Sequence, residues 1–277
     1  MGALLALSSA VLYGLVDFAG GILSRRTHFT AVTLLGQIGG LVTAVAAALL
    51  VPSQAVHRAD LLWGALSGVG SGMAMHFLNR GLSRGSMSVV VPVSAVTSVA
   101  LSVLCGVLLL GDRPGLVAWA GIAVTVPALW LVAGGGGDRT DGTAGGGVRD
   151  GLLASAGVAV QYLALGQAGA ASGLWPVAVG RSAAVAVLLP RARRARWPVS
   201  PGLGAAALAV GAGAALGLTL FQLAAQRELL AVAVVIASLY PALPVVLGLV
   251  LLHERVSRWQ AVGLVAAAAA TVLLAAG

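Results

Sequence analysis

Residues 251–263 read LLHERVSRWQAVG, and an apolar run follows them to the carboxyl terminus. An earlier stretch, LLGDRPGLVAWAG at residues 109–121, aligns with it without a gap at an offset of 142 positions. Each copy predicts a long apolar helix, a short turn that holds an acid–Arg pair, and a second apolar helix with a glycine after about two turns. The chain therefore contains a duplicated module.

The duplication extends over whole halves of the chain. Ala10-Val11-Leu12-Tyr13 in the first apolar segment matches Ala159-Val160-Gln161-Tyr162 in the sixth, at an offset of 149. The stretch between the halves is rich in Gly, Asp, Arg and Thr, which predicts a flexible loop. We assign residues 1–134 to a first five-helix repeat, 135–149 to a Gly-rich linker loop and 150–277 to a second five-helix repeat.

The composition places the chain in lipid. Of its 277 residues, 59% are hydrophobic and 9% are charged, too few polar side chains to cover a soluble globule of this size. Its charged and Gly/Pro-rich breaks separate ten apolar segments of membrane-spanning length. Because each half holds five spans, an odd number, the second half enters the membrane upside down. The sequence therefore predicts an all-α integral membrane protein, with ten transmembrane helices arranged as two inverted five-helix repeats.

The arginines predict the topology. All sixteen cationic residues are Arg, and the odd-numbered loops hold twelve of them against three in the even-numbered loops. Because arginine-rich loops stay in the cytoplasm, both termini are expected outside the plasma membrane. One cluster is expected to face anionic lipids of the inner leaflet; it comprises Arg191, Arg193, Arg194 and Arg196. The arginines are spread over short loops and form no single face, which argues against nucleic-acid binding.

The repeated turn and the glycine after it resemble the half-repeat of EamA-type transporters in the drug/metabolite transporter superfamily. The second copy fits better, because it has Tyr240-Pro241 thirteen residues before Glu254, where the first copy has Val99 and then Asp112. The resemblance implies a secondary transporter, not an enzyme, that exports a small organic metabolite, an amino-acid-like compound or a drug. No nucleotide-binding motif is present, which argues against a primary pump.

The acid–Arg turns are expected to be structural, because an acid beside an Arg at a helix junction can bond neighbouring backbone in the wet interface. These turns contain Asp112, Arg113, Glu254 and Arg255. The loop acids form no cluster with metal-ligand spacing, so neither a metal nor a cofactor is expected.

Ionisable side chains inside the membrane are candidates for function, since each costs at least roughly 2.5 kcal/mol to insert. Asp17 lies well inside the first span with Tyr13 one turn away on the same face. We weigh two roles for Asp17: a buried pair with Arg181 or Arg80, or a carboxyl group that exchanges a proton for substrate during alternating access. Arg181, in the seventh span, is expected to meet either an anionic substrate group or Asp17.

Further polar residues inside the spans are candidate substrate or coupling groups. Gln37 is the repeat counterpart of Arg181, and His76 shares a helix face with Arg80, where it is either functional or a hydrogen-bonded core histidine. Other side chains could line a cavity or only join helices; they are Gln161, Tyr162, Gln222 and Tyr240. Glycines at a spacing of four, such as Gly64, Gly68 and Gly72, predict close helix packing, with a mobile interface as the alternative.

Two other functions remain open. A membrane-embedded enzyme acting on a lipid or isoprenoid could use Asp17 and His76 as an acid–base pair. A lipid flippase could share the same fold.

Overall fold

The computed structural model describes residues 2–111, 113, 115–133, 144–194, 199–225, 236 and 239–276. This part of the chain is helical and contains no strand. Its helices, in chain order, are α1 (Gly2–Arg26), α2 (Phe29–Leu50), α3 (Arg58–Arg84), α4 (Met87–Cys105), α5 (Leu116–Val132), α6 (Ala144–Gly166), α7 (Trp175–Arg194), α8 (Pro201–Ala225), α9 (Ala242–Leu251) and α10 (Arg258–Ala276). A π-helical turn at Gly106–Leu110 extends α4, and a 3-10 turn at Ala170–Ser172 precedes α7.

Several helices are long and apolar enough to cross a bilayer. Within the residues described above, six segments meet this condition: Gly2–Arg26, Phe29–Leu50, Arg58–Arg84, Met87–Leu108, Pro201–Phe221 and Arg258–Ala275. Two shorter apolar helices, α5 and α9, accompany them. The predicted class, an all-helical membrane protein, is therefore confirmed.

The start of α6 differs from the predicted linker boundary. The helix begins at Ala144, so residues 144–149, which were assigned to the linker, are helical. Gly147 packs so closely against α4 that a Cβ atom on it would lie 3.1 Å from Val90 Cγ2, and Asp150 bonds an arginine of α3. These tertiary contacts stabilise a helical turn that its glycine content alone disfavours. The predicted loop at 134–143 lies outside the described residues.

The helices pack into two main bodies. In one, which we call the α1 body, α8 packs against both α1 and α2. In the other, the α3 body, α3 packs against α6 and α7, and α4 packs against α6. Contacts between α2 and α7 join the bodies, α9 lies between α1 and α4, and α5 pairs with α10 beside α4. Each body thus combines helices from both halves of the chain.

Glycines make the helix crossings close. A Cβ atom on Gly68 of α3 would lie 1.8 Å from the carbonyl oxygen of Gly180 in α7, and one on Gly211 of α8 would lie 1.7 Å from that of Gly36 in α2. Only a residue without a side chain fits at such contacts. The predicted stripe of Gly64, Gly68 and Gly72 packs directly on α7.

Two sets of described helix connections lie at opposite ends of the bundle. The end of α1, the α3–α4 turn and the α9–α10 loop meet where Arg25 contacts Gly85 and Glu254. We call this the arginine-rich end. At the opposite end, the α2–α3 and α6–α7 connections meet, because the backbone N–H of Gln54 donates to the carbonyl of Ala171 over 3.0 Å.

Candidate functional site

A cavity of about 420 Å3 lies between the α1 body and the α3 body. Its volume falls in the usual range for small-molecule sites. Seven of the predicted site residues line it: Tyr13, Asp17, Gln37, Gln161, Tyr162, Arg181 and Tyr240. Residues from both halves of the chain thus share one cavity.

The α1 wall of the cavity carries Tyr13 and Asp17, which share a face because they are four residues apart in a helix. The Tyr13 and Tyr240 rings lie 6.0 Å apart, centroid to centroid, at an angle of 55°. Gly217 lets the Tyr13 ring lie close to α8, since a Cβ atom on this glycine would be only 3.3 Å from the ring. The Asp17 carboxylate has no hydrogen bond or ion pair with any residue that the structure describes. It is therefore free to meet a ligand or a proton.

On the opposite wall, Arg181 bonds its repeat counterpart. Its Nη1 donates to Gln37 Oε1 over 2.8 Å and lies 3.5 Å from the Ser71 hydroxyl oxygen. Gly40 lies beside it, as a Cβ atom on that glycine would be in ordinary van der Waals contact, 3.5 Å, with Arg181 Cδ and Nε. In this conformation Arg181 pairs with neither Asp17 nor another described carboxylate. The guanidinium therefore enters the cavity with donors to spare.

The hypothesis that Arg80 pairs with Asp17 is wrong. The Nε of Arg80 donates to both carboxylate oxygens of Asp150, each over 3.0 Å, and its Nη2 also contacts Oδ1. The guanidinium lies 4.8 Å from the centre of the Phe77 ring. Arg80 sits near the end of α3, where Asp150 in the second turn of α6 lies within hydrogen-bond distance. It therefore joins two helices of the α3 body.

His76 does not line the cavity. Its ring packs edge-on against Phe29, at 5.2 Å, and Phe77, at 5.4 Å. Its Nδ1 is buried without a hydrogen-bond partner in the described part of the chain, so it is a core histidine without the bond expected at that atom. The side chain of Gln222, in α8, lies outside the described residues.

In the turn after α9, Glu254 contacts the start of α4, and its structural role stays a prediction. Glu254 accepts hydrogen bonds from the backbone N–H groups of Met87 (2.8 Å) and Ser88 (2.9 Å) and pairs with Arg25 at 3.3 Å. Its carboxylate thus satisfies N–H groups at the start of α4, where negative charge also complements the helix dipole. Arg113 and Arg255 are exposed, and Asp112 lies outside the described residues.

Comparison with known proteins finds a family match in the first half of the chain. The model of the EamA-like transporter family matches residues 1–134. Residues 1–134 are thus similar to EamA-like transporters. A solved crystal structure shares the fold with a TM-score of 0.62 and 18% sequence identity, over 99% of this chain and 98% of that one. No curated protein matches the sequence. The resemblance to EamA-type proteins is thereby confirmed, and it indicates a membrane transporter of the drug/metabolite type.

The EamA-like half also lines the cavity with hydroxyl and amide groups that were not predicted. Ser94, Ser98 and Ser102 of α4 face it at a spacing of four, a pattern visible in the sequence after Pro92. The hydroxyls of Ser98 and Ser102 donate to carbonyls of their own helix, both over 2.8 Å, which leaves their oxygen lone pairs to accept from a ligand. Asn79 of α3 also lines the cavity.

Among the residues that the structure describes, no three His, Cys, Asp or Glu side chains are grouped closely enough to hold a metal ion.

Proposed function

We propose that the chain is a secondary transporter that exports a small organic metabolite, an amino-acid-like compound or a drug across the plasma membrane by alternating access. One observation carries the proposal: the cavity lies between two helix bodies and is lined by both. A site at such an interface can change the side on which it is open when one body rocks against the other.

Two inverted repeats of five spans, one in residues 1–134 and the other beginning at α6, account for the packing. The contact of α3 with α6 and α7 has its counterpart in the contact of α8 with α1 and α2. If five is added to each helix number, with α1 following α10, then α3 becomes α8, α6 becomes α1 and α7 becomes α2. The contacts of α3 thereby become those of α8. The same renumbering leaves the α2–α7 and α5–α10 contacts unchanged. Contacts that lie on a two-fold axis behave in this way. This exchange supports a ten-span bundle with a pseudo-two-fold axis in the membrane plane.

The arginine-rich end faces the cytoplasm in this proposal, and both termini lie outside. The arginine bias of the sequence supports it. Arg191, in the last turns of α7, is exposed and available to anionic lipid headgroups. The side chains of Arg193 and Arg194, and the whole of Arg196, lie outside the described residues.

The charged groups of the cavity support roles in recognition and coupling. Arg181 has a hydrogen-bonded amide beside it but no described carboxylate, so an anionic group of the substrate completes its environment. Asp17, which has no partner among the described residues, binds a proton or a cationic group of the substrate. Tyr13, Tyr162 and Tyr240 supply aromatic surface for the apolar part of the molecule. Proton-coupled transport follows if Asp17 is charged in one access state and protonated in the other.

Reconstitution into proteoliposomes tests this function. Amino acids, small organic acids and drug-like amines are offered singly under an imposed pH gradient, and the compound recovered is checked for chemical change. Val99→Trp narrows the cavity and should abolish flux, whereas Val126→Trp, at a position 70% exposed on α5, should preserve it. Equal flux through both variants would refute transport through the cavity. A covalently altered product would indicate an enzyme, and redistribution of labelled lipid would indicate a flippase.

A further inference from the structure

Arg25 connects α1 to the α3 body at the arginine-rich end. Its Nε donates to the carbonyl of Leu82 over 3.0 Å, and its Nη2 donates to the carbonyl of Gly85 over 2.9 Å. The same Nη2 lies 3.3 Å from Glu254 Oε1. One guanidinium in the last turn of α1 thus binds the end of α3, the α3–α4 turn and the α9–α10 loop.

Glu254 extends this connection to α4. Its two carboxylate oxygens accept the N–H groups of Met87 and Ser88, so the acid that Arg25 contacts is itself fixed to the first turn of α4. We call this set the Arg25 clamp; its members are Arg25, Leu82, Gly85 and Glu254. The Arg25 side chain is 31% exposed and that of Glu254 is 9% exposed, so water can reach the clamp and replace its bonds.

An apolar layer separates the clamp from the cavity. Phe18 and Ile22 of α1 pack against a core that includes Leu82 and Met87. Gly21 makes this contact close, since a Cβ atom there would lie 2.5 Å from Met87 Cε. One face of α1 passes through all three levels at intervals of four residues: Asp17 lies at the cavity, Gly21 in the apolar layer and Arg25 in the clamp. The arginine-rich end is therefore closed by a layer with the clamp on its outer side.

The other ion pair at this end does not connect the α1 body to the α3 body. Of the two ion pairs in the described part of the chain, Arg80–Asp150 joins α3 to α6, both in the α3 body. At the opposite end, the carboxylate of Asp60 likewise holds the start of α3 to the α6–α7 turn. It accepts hydrogen bonds from Gly169 N–H (2.9 Å) and the Ser172 hydroxyl (2.5 Å). These bonds persist if the α3 body moves as a unit, whereas movement of α3 away from α1 breaks the Arg25 clamp.

From this arrangement we infer that the Arg25 clamp is the gate at the arginine-rich end, which holds the cavity closed to that side and must release before the cavity opens there. The inference rests on the proposed alternating-access function. The contacts of Arg25 with Leu82, Gly85 and Glu254 exist only when α1 lies against the α3–α4 turn, so they stabilise the state that is closed at this end. Removing them shifts the population toward the state that is open there.

Thiol labelling tests the gate without any transported substrate. Cys105→Ser removes the cysteine of the chain, and Ser94→Cys places a thiol in the cavity, one turn above the apolar layer. In membranes of known orientation, a membrane-impermeant maleimide is applied first from the arginine-rich side and then from the opposite side. Arg25→Gln should raise the labelling rate from the arginine-rich side about tenfold, a shift equivalent to about 1.4 kcal/mol. It should lower the rate from the opposite side.

Arg80→Gln is the matched control, because it removes an arginine–carboxylate pair from the same end without separating the bodies, and it should change the rate less than twofold. Arg25→Lys, which keeps the charge but loses the forked geometry, should give an intermediate rate, and it carries the test if Arg25→Gln does not fold. An unchanged rate in the Arg25 variants, an equal rise in Arg80→Gln, or a rise from both sides would overturn the gate. Failure of transport in the wild-type protein would count against the proposed function and leave the labelling result intact.

Discussion

The α2–α8 crossing provides a test of how closely the two halves are packed. In Gly211→Ala, the new Cβ atom would lie 1.7 Å from the carbonyl oxygen of Gly36, whereas ordinary contact begins at 3.4 Å. The helices must therefore separate by about 1.7 Å, or α8 must shift along α2. Overpacking costs typically about 1–3 kcal/mol, and displacing backbone places this change near 3 kcal/mol. At about 2–4 °C per kcal/mol, the unfolding midpoint should fall by about 6–12 °C.

Two matched variants isolate the contact. Gly36→Ala, on the other side of the same crossing, places its Cβ atom 3.7 Å from the nearest atom, the carbonyl oxygen of Ala207. Gly202→Ala, in α8 itself, meets nothing within 4 Å. Both should unfold within about 1 kcal/mol of the wild type, the size of the gain in helix propensity from glycine to alanine. Thermal unfolding of the detergent-solubilised protein, followed by tryptophan fluorescence, measures all three. A midpoint for Gly211→Ala equal to that of Gly36→Ala would refute the reasoning.

The remaining predictions address the membrane topology, the coupling of transport to protons, and the side-chain contacts that hold helices together. A reporter fused after Gly277 should be active only outside the cytoplasm, and activity of a cytoplasm-only reporter there would reverse the orientation. Asp17→Asn should keep its folded content but lose flux driven by a pH gradient in proteoliposomes; unchanged flux would return the residue to a packing role. Asp150→Asn should lower the free energy of unfolding by about 2 kcal/mol, measured beside its exposed neighbour variant Arg149→Gln, which should have no such effect. Glu254→Gln should lower the unfolding midpoint, and a folded variant that no longer binds a transported compound would contradict its structural assignment.

The sequence predicted the helical membrane class because composition and segment length alone determine it. It also indicated the two charged residues of the cavity, Asp17 and Arg181, since hydrocarbon tolerates such groups only where they face protein or a cavity. The same argument could not place His76, because the direction in which a side chain points depends on helix rotation within the bundle. On α3, Ser71 and Asn79, eight residues apart, face the cavity, while His76 between them faces Phe29.

Tertiary partners were harder to predict than positions in the membrane. Arg80 pairs with Asp150 because α3 and α6 meet, a contact between halves that no local pattern contains. Likewise, the spacing of Gly36 and Gly40 predicts a packing surface, but it does not reveal that a methyl group has room at Gly36 and none at Gly211 on the opposing helix. Such distinctions depend on the offset between helices, which is set by the whole bundle.

The contact between Gln37 and Arg181 bears on how such a chain could arise. The two residues hold equivalent places in the two halves and bond one another across the α2–α7 contact. In a homodimer built from a single half, that position would face its own copy, so an arginine there would meet an identical positive charge. Gene duplication followed by fusion removes this restriction, because each copy can then mutate alone. A single positive charge at this contact is thus a feature that a fused chain can hold more easily than a dimer of identical halves.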